Sequence, residues 1–182
     1  SNTLPWFEVA KHTGVVVKYI DLDKEGKVTL ENVQKAVNGN TKIISIAQIT
    51  NVLGYLAPIK EICAFAHQYD IVVCVDGAQS APHHAIDVED LDVDFFAFSG
   101  HKMCGPTGVG VLYGKYHLLE EMTPTRFGGG SNARYNSCGL VKLKNAPTKF
   151  ESGTPNIEGV IGLGSAIEYL QKIGMKNIEE HE

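Results

Sequence analysis

Residues 71–80 read Ile71-Val72-Val73-Cys74-Val75-Asp76-Gly77-Ala78-Gln79-Ser80: an apolar run that stops on a carboxylate and a glycine. A short, near-continuous apolar run is the pattern of a strand buried on both faces, as in a parallel sheet covered by helices. The segment before it, Pro58 to Tyr69, spaces Ile59, Ile62, Cys63 and Ala66 at i, i+3, i+4 and i+7, which predicts a helix with one apolar stripe. Further back, Lys42 to Ile49 reads as a strand with Asn51 just past its end. Thr29 N-caps a helix whose buried stripe is Val33, Ala36 and Val37. The β-branched run Val15 to Ile20 predicts another strand, and Pro5 to His12 a short helix.

Forward of the opening stretch, Phe95 to Phe98 is an apolar strand that runs into Ser99-Gly100-His101-Lys102. Gly108 to Tyr113 is a strand reached through Gly105-Pro106, a connection too short for a helical crossover, so it predicts an antiparallel neighbour. Thr123 to Lys149 has weak periodicity and reads as a long loop with one hairpin, and Asn156 to Ile173 as a long helix. Strand and helix alternate through the first hundred or so residues. The fold class this implies is α/β: a three-layer αβα sandwich around a mostly parallel sheet.

The bulk numbers narrow the function. The 182 residues carry a net charge of −5 with no block of like charges, so the chain has no basic footprint for nucleic acid. No stretch is long and apolar enough to span a membrane, and the first residues do not read as a signal peptide. The cysteines, Cys63, Cys74, Cys104 and Cys138, show no C-x-x-C spacing and read as small buried thiols of a reducing compartment, which implies a cytoplasmic protein. The chain opens on Ser1-Asn2 and closes on polar, helix-like sequence, which suggests an excised piece of a longer polypeptide.

In open α/β sheets ligands bind beyond the carboxyl ends of the strands. Those positions hold Asn51, then Asp76 and Gln79, then Ser99, His101 and Lys102. Taken singly each has an ordinary explanation: Asp76 as a turn residue or N-cap, Lys102 as a solvated loop charge. The set suits pyridoxal phosphate (PLP) chemistry. That cofactor needs a lysine for an imine, a carboxylate to keep the pyridine nitrogen protonated, a donor near the ring oxygen, and hydroxyl or imidazole donors for the phosphate. A helix starting at Gly77 would set Gln79 beside Asp76.

The segments Val75-Asp-Gly-Ala-Gln-Ser80 and Phe98-Ser-Gly-His-Lys-Met-Cys-Gly-Pro-Thr-Gly108 resemble the signatures of class-V, fold-type-I PLP enzymes, and within them the SufS-type (group II) cysteine desulfurases. Thr50-Asn-Val-Leu-Gly54 and Phe150-Glu-Ser-Gly-Thr-Pro-Asn156 are similar to the same family. The resemblance is weakest between Gly130 and Lys149. It implies that Lys102 is the Schiff-base lysine and moves protons at the substrate α-carbon. By the same resemblance Asp76 pairs with the pyridine nitrogen, and Gln79 bonds the ring oxygen. Asn51 lies beside that oxygen and the substrate carboxylate, and Ser99 and His101 hold the phosphate. Thr154 resembles a residue that reaches the partner subunit's phosphate, which implies a homodimer. The implied reaction takes L-cysteine to L-alanine and passes sulfur to an enzyme cysteine, then to a sulfur-acceptor protein of iron–sulfur assembly.

The resemblance places residues 1–182 in the central part of the PLP-binding large domain. An N-terminal segment and a C-terminal small domain, with the sulfur-accepting cysteine and the carboxylate-binding arginine, would lie outside it. Cys104, two residues from Lys102, is not at the nucleophile's position and reads as structural; Cys138 reads as a bystander. His83 and His84 are adjacent and point different ways, so no metal site is expected. Gly128-Gly-Gly130 lacks the phosphate-loop lysine pattern and reads as flexible. Rival readings are another class-V enzyme (an aminotransferase, selenocysteine lyase or kynureninase) or a non-catalytic doubly wound cofactor-binding module. The absence of a Gly-x-Gly-x-x-Gly turn after the first strand counts against the latter.

Overall fold

A computed structural model describes residues 2–139 and 141–181. The opening stretch forms strand β2 (Val72–Asp76), flanked in parallel by β1 (Ile43–Ala47) and β3 (Phe95–Ser99). Strand β4 (Gly110–Gly114) runs antiparallel to β3, Ser99 opposite Gly110, as the short connection demands. The sheet order is β1-β2-β3-β4, so the architecture is α/β with a mixed, mostly parallel sheet.

Strand alternation fixes which side chains meet. Ile44, Ile46, Val73, Val75 and Phe96 share one face and are all buried. Helix α2 (Leu30–Ala36) brings Val33 to that core, and helix α3 (Ile59–Ala66) brings Ile59, Ile62, Cys63 and Ala66, the stripe the spacing predicts. Each large aliphatic or aromatic side chain buried here is worth ~1.5–3 kcal/mol. Thr29 caps α2 by accepting a hydrogen bond from Asn32 N at 3.2 Å. The opposite face, with Val72, Cys74, Phe95 and Ala97, is only half-buried, so one of the two helical layers is complete within the described residues. A second cluster joins Met103, after β3, to Leu163 and Leu170 of the long helix α6 (Ile157–Ile173). A hairpin of β5 (Asn132–Tyr135) and β6 (Val141–Leu143) lies in the long loop, as expected.

Two expectations change. Val15 to Ile20 forms no strand: after helix α1 (Leu4–Thr13) the chain runs irregularly to Asp23, because no described backbone pairs with it. Its Lys18 Nζ instead donates to Ala36 O at 2.9 Å. No helix begins at Gly77 either; residues 78–84 form successive turns, held by bonds such as Ala81 N to Gly77 O at 2.9 Å. Three short helices escape the periodicity argument: α4 (Val88–Leu91), α5 (Tyr116–Glu121) and α7 (Met175–His181).

The amino end of the sheet carries a charge cluster. Asp94, 5% exposed, takes a hydrogen bond from Val73 N at 2.7 Å and lies 2.9 Å from His67 Nε2 and 3.0 Å from Lys115 Nζ. Asp92 lies 3.0 Å from His67 Nδ1 and 2.6 Å from Lys115 Nζ. Burial opposes ionisation of Asp94, but the Val73 N–H, His67 and Lys115 outweigh it and hold its carboxyl below the usual range. Burial opposes the charge on Lys115 too, and the two carboxylates outweigh it and raise its amine. The neighbouring Cys63 thiol is pushed up to about 12, first by burial and then by Asp94 and Asp92.

Candidate active site

The carboxyl ends of β1, β2 and β3 lie side by side because the strands are parallel and in register, with Ala47 opposite Asp76 and Asp76 opposite Ala97. Asp76 and Ser99 therefore leave the sheet on the same, half-buried face. Gln48 N donates to Asp76 O and Gly77 N to Ala97 O, at 3.0 and 2.8 Å, which ties all three strand ends together.

Asp76 ends β2 and turns the chain: its Oδ1 accepts from Ala78 N at 3.0 Å. Gly77 is required there. A Cβ on it would stand 2.1 Å from the Phe96 ring, so any side chain would collide with the core that aligns the strands. The turn that follows carries Gln79 toward β1, and Gln79 Nε2 donates to Asn51 Oδ1. That bond joins groups 28 residues apart in sequence. Asn51 sits on a tight loop closed by Gly54 N to Thr50 O at 3.0 Å and by the Ile49–Leu56 bridge. Beneath it, Gln48 Oε1 and Thr50 Oγ1 are buried and have no hydrogen-bond partner among the described residues.

Ser99 ends β3, and a single 3-10 turn, Gly100–Lys102, presents His101 and Lys102 at the surface. The turn is clasped from behind: Gly100 N donates to Val109 O, and Gly105 N donates to Gly100 O, each at 2.9 Å. A Cβ on Gly105 would meet Gly100 O at 2.8 Å, so this closure also requires glycine. Cys104, between them, adopts a left-handed φ of 61° and is exposed. Among the described residues, Ser99 Oγ, His101 and Lys102 Nζ have no hydrogen bond or ion pair with other side chains, so their donors are open to a ligand.

The structure thus brings Asn51, Gln79, Asp76, Ser99, His101 and Lys102 to one end of the sheet, with direct contact between Asn51 and Gln79. Thr154 is exposed on the segment before α6, which Asn156 Nδ2 fastens to Gly108 O at 3.2 Å. Sequence reasoning passed over Gln48 and Thr50, whose buried oxygens lie in the same strand end; their polar character inside an apolar strand pattern was the available signal. It also expected buried cysteines. Cys63 is buried and Cys74 half-buried, but Cys104 and Cys138 are exposed; all are free thiols. No group of metal-ligating side chains occurs among the described residues.

The profile of the aminotransferase class-V family matches residues 1–182. The chain is 52% identical over 184 residues to a probable cysteine desulfurase of Halalkalibacterium halodurans, matching all of this chain and 45% of that protein. The crystal structure of the cysteine desulfurase CsdA from Escherichia coli, in an S-sulfonic acid form, superimposes with a TM-score of 0.91 at 41% identity, over 96% of this chain and 43% of that one. A C-DES variant with glycine covalently linked to its PLP cofactor gives a TM-score of 0.84 at 26% identity, over 96% and 48% of the two chains. The chain spans less than half the length of these relatives.

Proposed function

The chain belongs to the class-V aminotransferase family, and from that premise we propose that it is the central part of the large domain of a PLP-dependent cysteine desulfurase of the SufS type. The observation that carries the proposal is the convergence of a free lysine amine, a carboxylate and an amide pair on three adjacent strand ends. The donor set fits the cofactor: an anion for its ring nitrogen, amides for its ring oxygen, a hydroxyl and an imidazole for its phosphate, and buried oxygens of Gln48 and Thr50 left unmatched beside them.

In this reading Lys102 holds the cofactor through its amine, and Asp76 faces the pyridine nitrogen. Gln79 and Asn51 flank the ring oxygen, and Ser99 and His101 take the phosphate. When bound, the cofactor draws electron density from the substrate α-carbon. The Lys102 amine carries the proton at that carbon, which its exposed position on a short, clasped turn allows. The Asn51–Gln79 bond orients both amides before anything binds, so their ordering cost is met in folding.

L-cysteine is the proposed substrate and L-alanine the product, with sulfur passing to a cysteine outside residues 1–182 and on to an acceptor for iron–sulfur assembly. The motif Phe98-Ser-Gly-His-Lys-Met-Cys-Gly-Pro-Thr-Gly108 supports the SufS assignment. A homodimer is supported by Thr154, exposed just before an exposed apolar stripe of α6: Ile157, Val160 and Ile161. Four free thiols and no helix long and apolar enough to cross a membrane, among the described residues, support a cytoplasmic setting.

The test is direct. The protein is incubated with PLP, reduced with borohydride and digested, and the adduct is located by mass spectrometry. A phosphopyridoxyl group on Lys102, missing in Lys102→Ala, is the expected result. An intact fold with adducts scattered over surface lysines would overturn the assignment.

A further inference from the structure

Asn51 sits on a loop with little packing of its own. Residues 51–54 and Leu56 are exposed, and Tyr55 between them is half-buried. A loop with few buried contacts is ordered by what meets its covered positions. Tyr55 supplies two such contacts. Its carbonyl accepts from Thr50 N at 3.4 Å, beside the Gly54 N to Thr50 O bond, so its backbone closes the loop on the residue next to Asn51. Its ring lies under the Lys27 ammonium, with Nζ 4.7 Å from the ring centroid.

Lys27 comes from a closed turn over residues 23–27. Asp23 N donates to Lys27 O at 2.9 Å and Gly26 N to Asp23 O at 3.1 Å, while Asp23 Oδ1 accepts from Glu25 N and Lys27 N, both at 2.8 Å. Gly26, with a left-handed φ of 81°, brings the turn against Leu53: a Cβ added there would stand 3.1 Å from Leu53 Cδ1. The turn thus meets the loop on both sides of Gly54, at Leu53 and at Tyr55. Glu25 lies 2.6 Å from Lys27 Nζ, but both side chains are well exposed, and such an ion pair alone contributes little. What singles Lys27 out is the ring it covers, since a cation over an aromatic face is attracted even at a partly solvated site. From the opposite side Gln79 Nε2 bonds Asn51 Oδ1. We propose that Lys27 and Tyr55 are positioning residues for the Asn51 amide: the ammonium–ring contact fixes the loop that presents it, and neither residue touches a ligand itself. The inference rests on the reading of Asn51 as an amide beside the cofactor's ring oxygen.

The experiment compares the protein as expressed from its own gene with four variants. Lys27→Met removes the charge and keeps the stem, and Lys27→Arg keeps a cation. Tyr55→Leu removes the ring, and Tyr55→Phe keeps it. Hydrogen exchange at the Thr50 and Gly54 amides reads the loop, PLP retention after gel filtration reads the site, and both are repeated with Lys27→Met in an Asn51→Ala background. Lys27→Met and Tyr55→Leu are each expected to speed exchange at those amides, and to weaken PLP retention, by about threefold. Lys27→Arg and Tyr55→Phe are expected to match the unaltered protein in both. In the Asn51→Ala background Lys27→Met should still speed exchange and weaken retention no further. Unchanged exchange in Lys27→Met overturns the proposal. So does a loss of retention that persists undiminished in the Asn51→Ala background, because the effect would then bypass the amide. Equal losses in Lys27→Met and Lys27→Arg overturn it as well, because the cation would not be what matters. An unaltered protein that takes no adduct on Lys102, while its loop amides respond to Lys27→Met and recover in Lys27→Arg, rejects the cofactor reading and keeps the loop anchor, so the two failures are separable.

Discussion

The two ends of the same sheet use polar residues in opposite ways. At the amino end Asp94, Asp92, His67 and Lys115 satisfy one another at 2.6–3.0 Å, and the most buried of them also takes a backbone N–H. At the carboxyl end Lys102, His101 and Ser99 have no such partners, and Gln48 and Thr50 keep buried oxygens unmatched. Buried polar groups are normally paired, so the saturated end has the character of structural reinforcement and the unsaturated end that of a site completed by something else. Strand polarity puts the two at opposite ends: the parallel strands that converge on Asp76 and Ser99 must start from the region of Asp94.

The sharpest way to break this comparison is to alter the reactive amine. Lys102→Ala in the proposed desulfurase is expected to lower alanine production from L-cysteine by ~10³-fold, in the range for loss of a proton-transferring group. The thermal midpoint is expected to stay within a degree or so, because the side chain touches nothing that holds the fold. A large loss of stability would mean that this end, too, is structural.

The opposite signature is expected from Asp94→Asn. Removing one partner of a buried charge network commonly costs 3–5 kcal/mol; His67 and Lys115 retain 27% and 23% side-chain exposure, so about 3 kcal/mol is expected here. Urea denaturation measures it, and adduct formation on Lys102 should persist under native conditions. The pH dependence follows with a definite sign. Asp94 and Asp92 have folded-state pKa values held below their unfolded ones, so their contribution is present above the unfolded carboxylate range and is lost as pH falls through the folded values. Stability should therefore decline below about pH 4. Lys115 works at the other limit: its raised pKa gives stability that is present below the ordinary lysine range and is lost only as pH rises through the raised value. Asp94→Asn should flatten the acid limb; an unchanged acid limb would show that the cluster does not contribute.

How far the sequence carried this contrast depends on what each feature rests on. The carboxyl end was legible because parallel strands announce themselves as apolar runs and the residue after each run is known by position: Asn51, Asp76 and Ser99 all stand where expected. The antiparallel return of β4 was legible from loop length alone. The amino-end cluster was not, because it joins residues from the end of α3, the start of β3 and the end of β4, and no local spacing relates His67 to Asp94 or Lys115. Val15–Ile20 failed for a different reason. Its composition is that of a strand, but a strand is a property of two segments, and no described backbone pairs with this one. Gln79 reached Asn51 through turns instead of the expected helix, so the contact was anticipated only as proximity.

The subtlest difference between the ends lies in the Asn51–Gln79 pair, which is hydrogen-bonded like the amino-end cluster yet exposed like the carboxyl-end donors. If it is structural, breaking it lowers stability; if it prepares a site, breaking it lowers ligand affinity and leaves stability alone. Net hydrogen bonds contribute ~1 kcal/mol, so Gln79→Ala and Asn51→Ala are each expected to weaken PLP retention by about fivefold. The double variant should lose less than the product of the two, since each single change already frees the other amide from its partner. Loops near exposed residues tolerate such truncation, and the thermal midpoint is expected to be unmoved in both. Retention is read from the cofactor absorbance after gel filtration at a series of dilutions. Strict multiplicativity would mean that the two amides act independently, and that the bond between them does not organise the site; a shared stability loss with intact retention would move the pair to the structural side of the comparison.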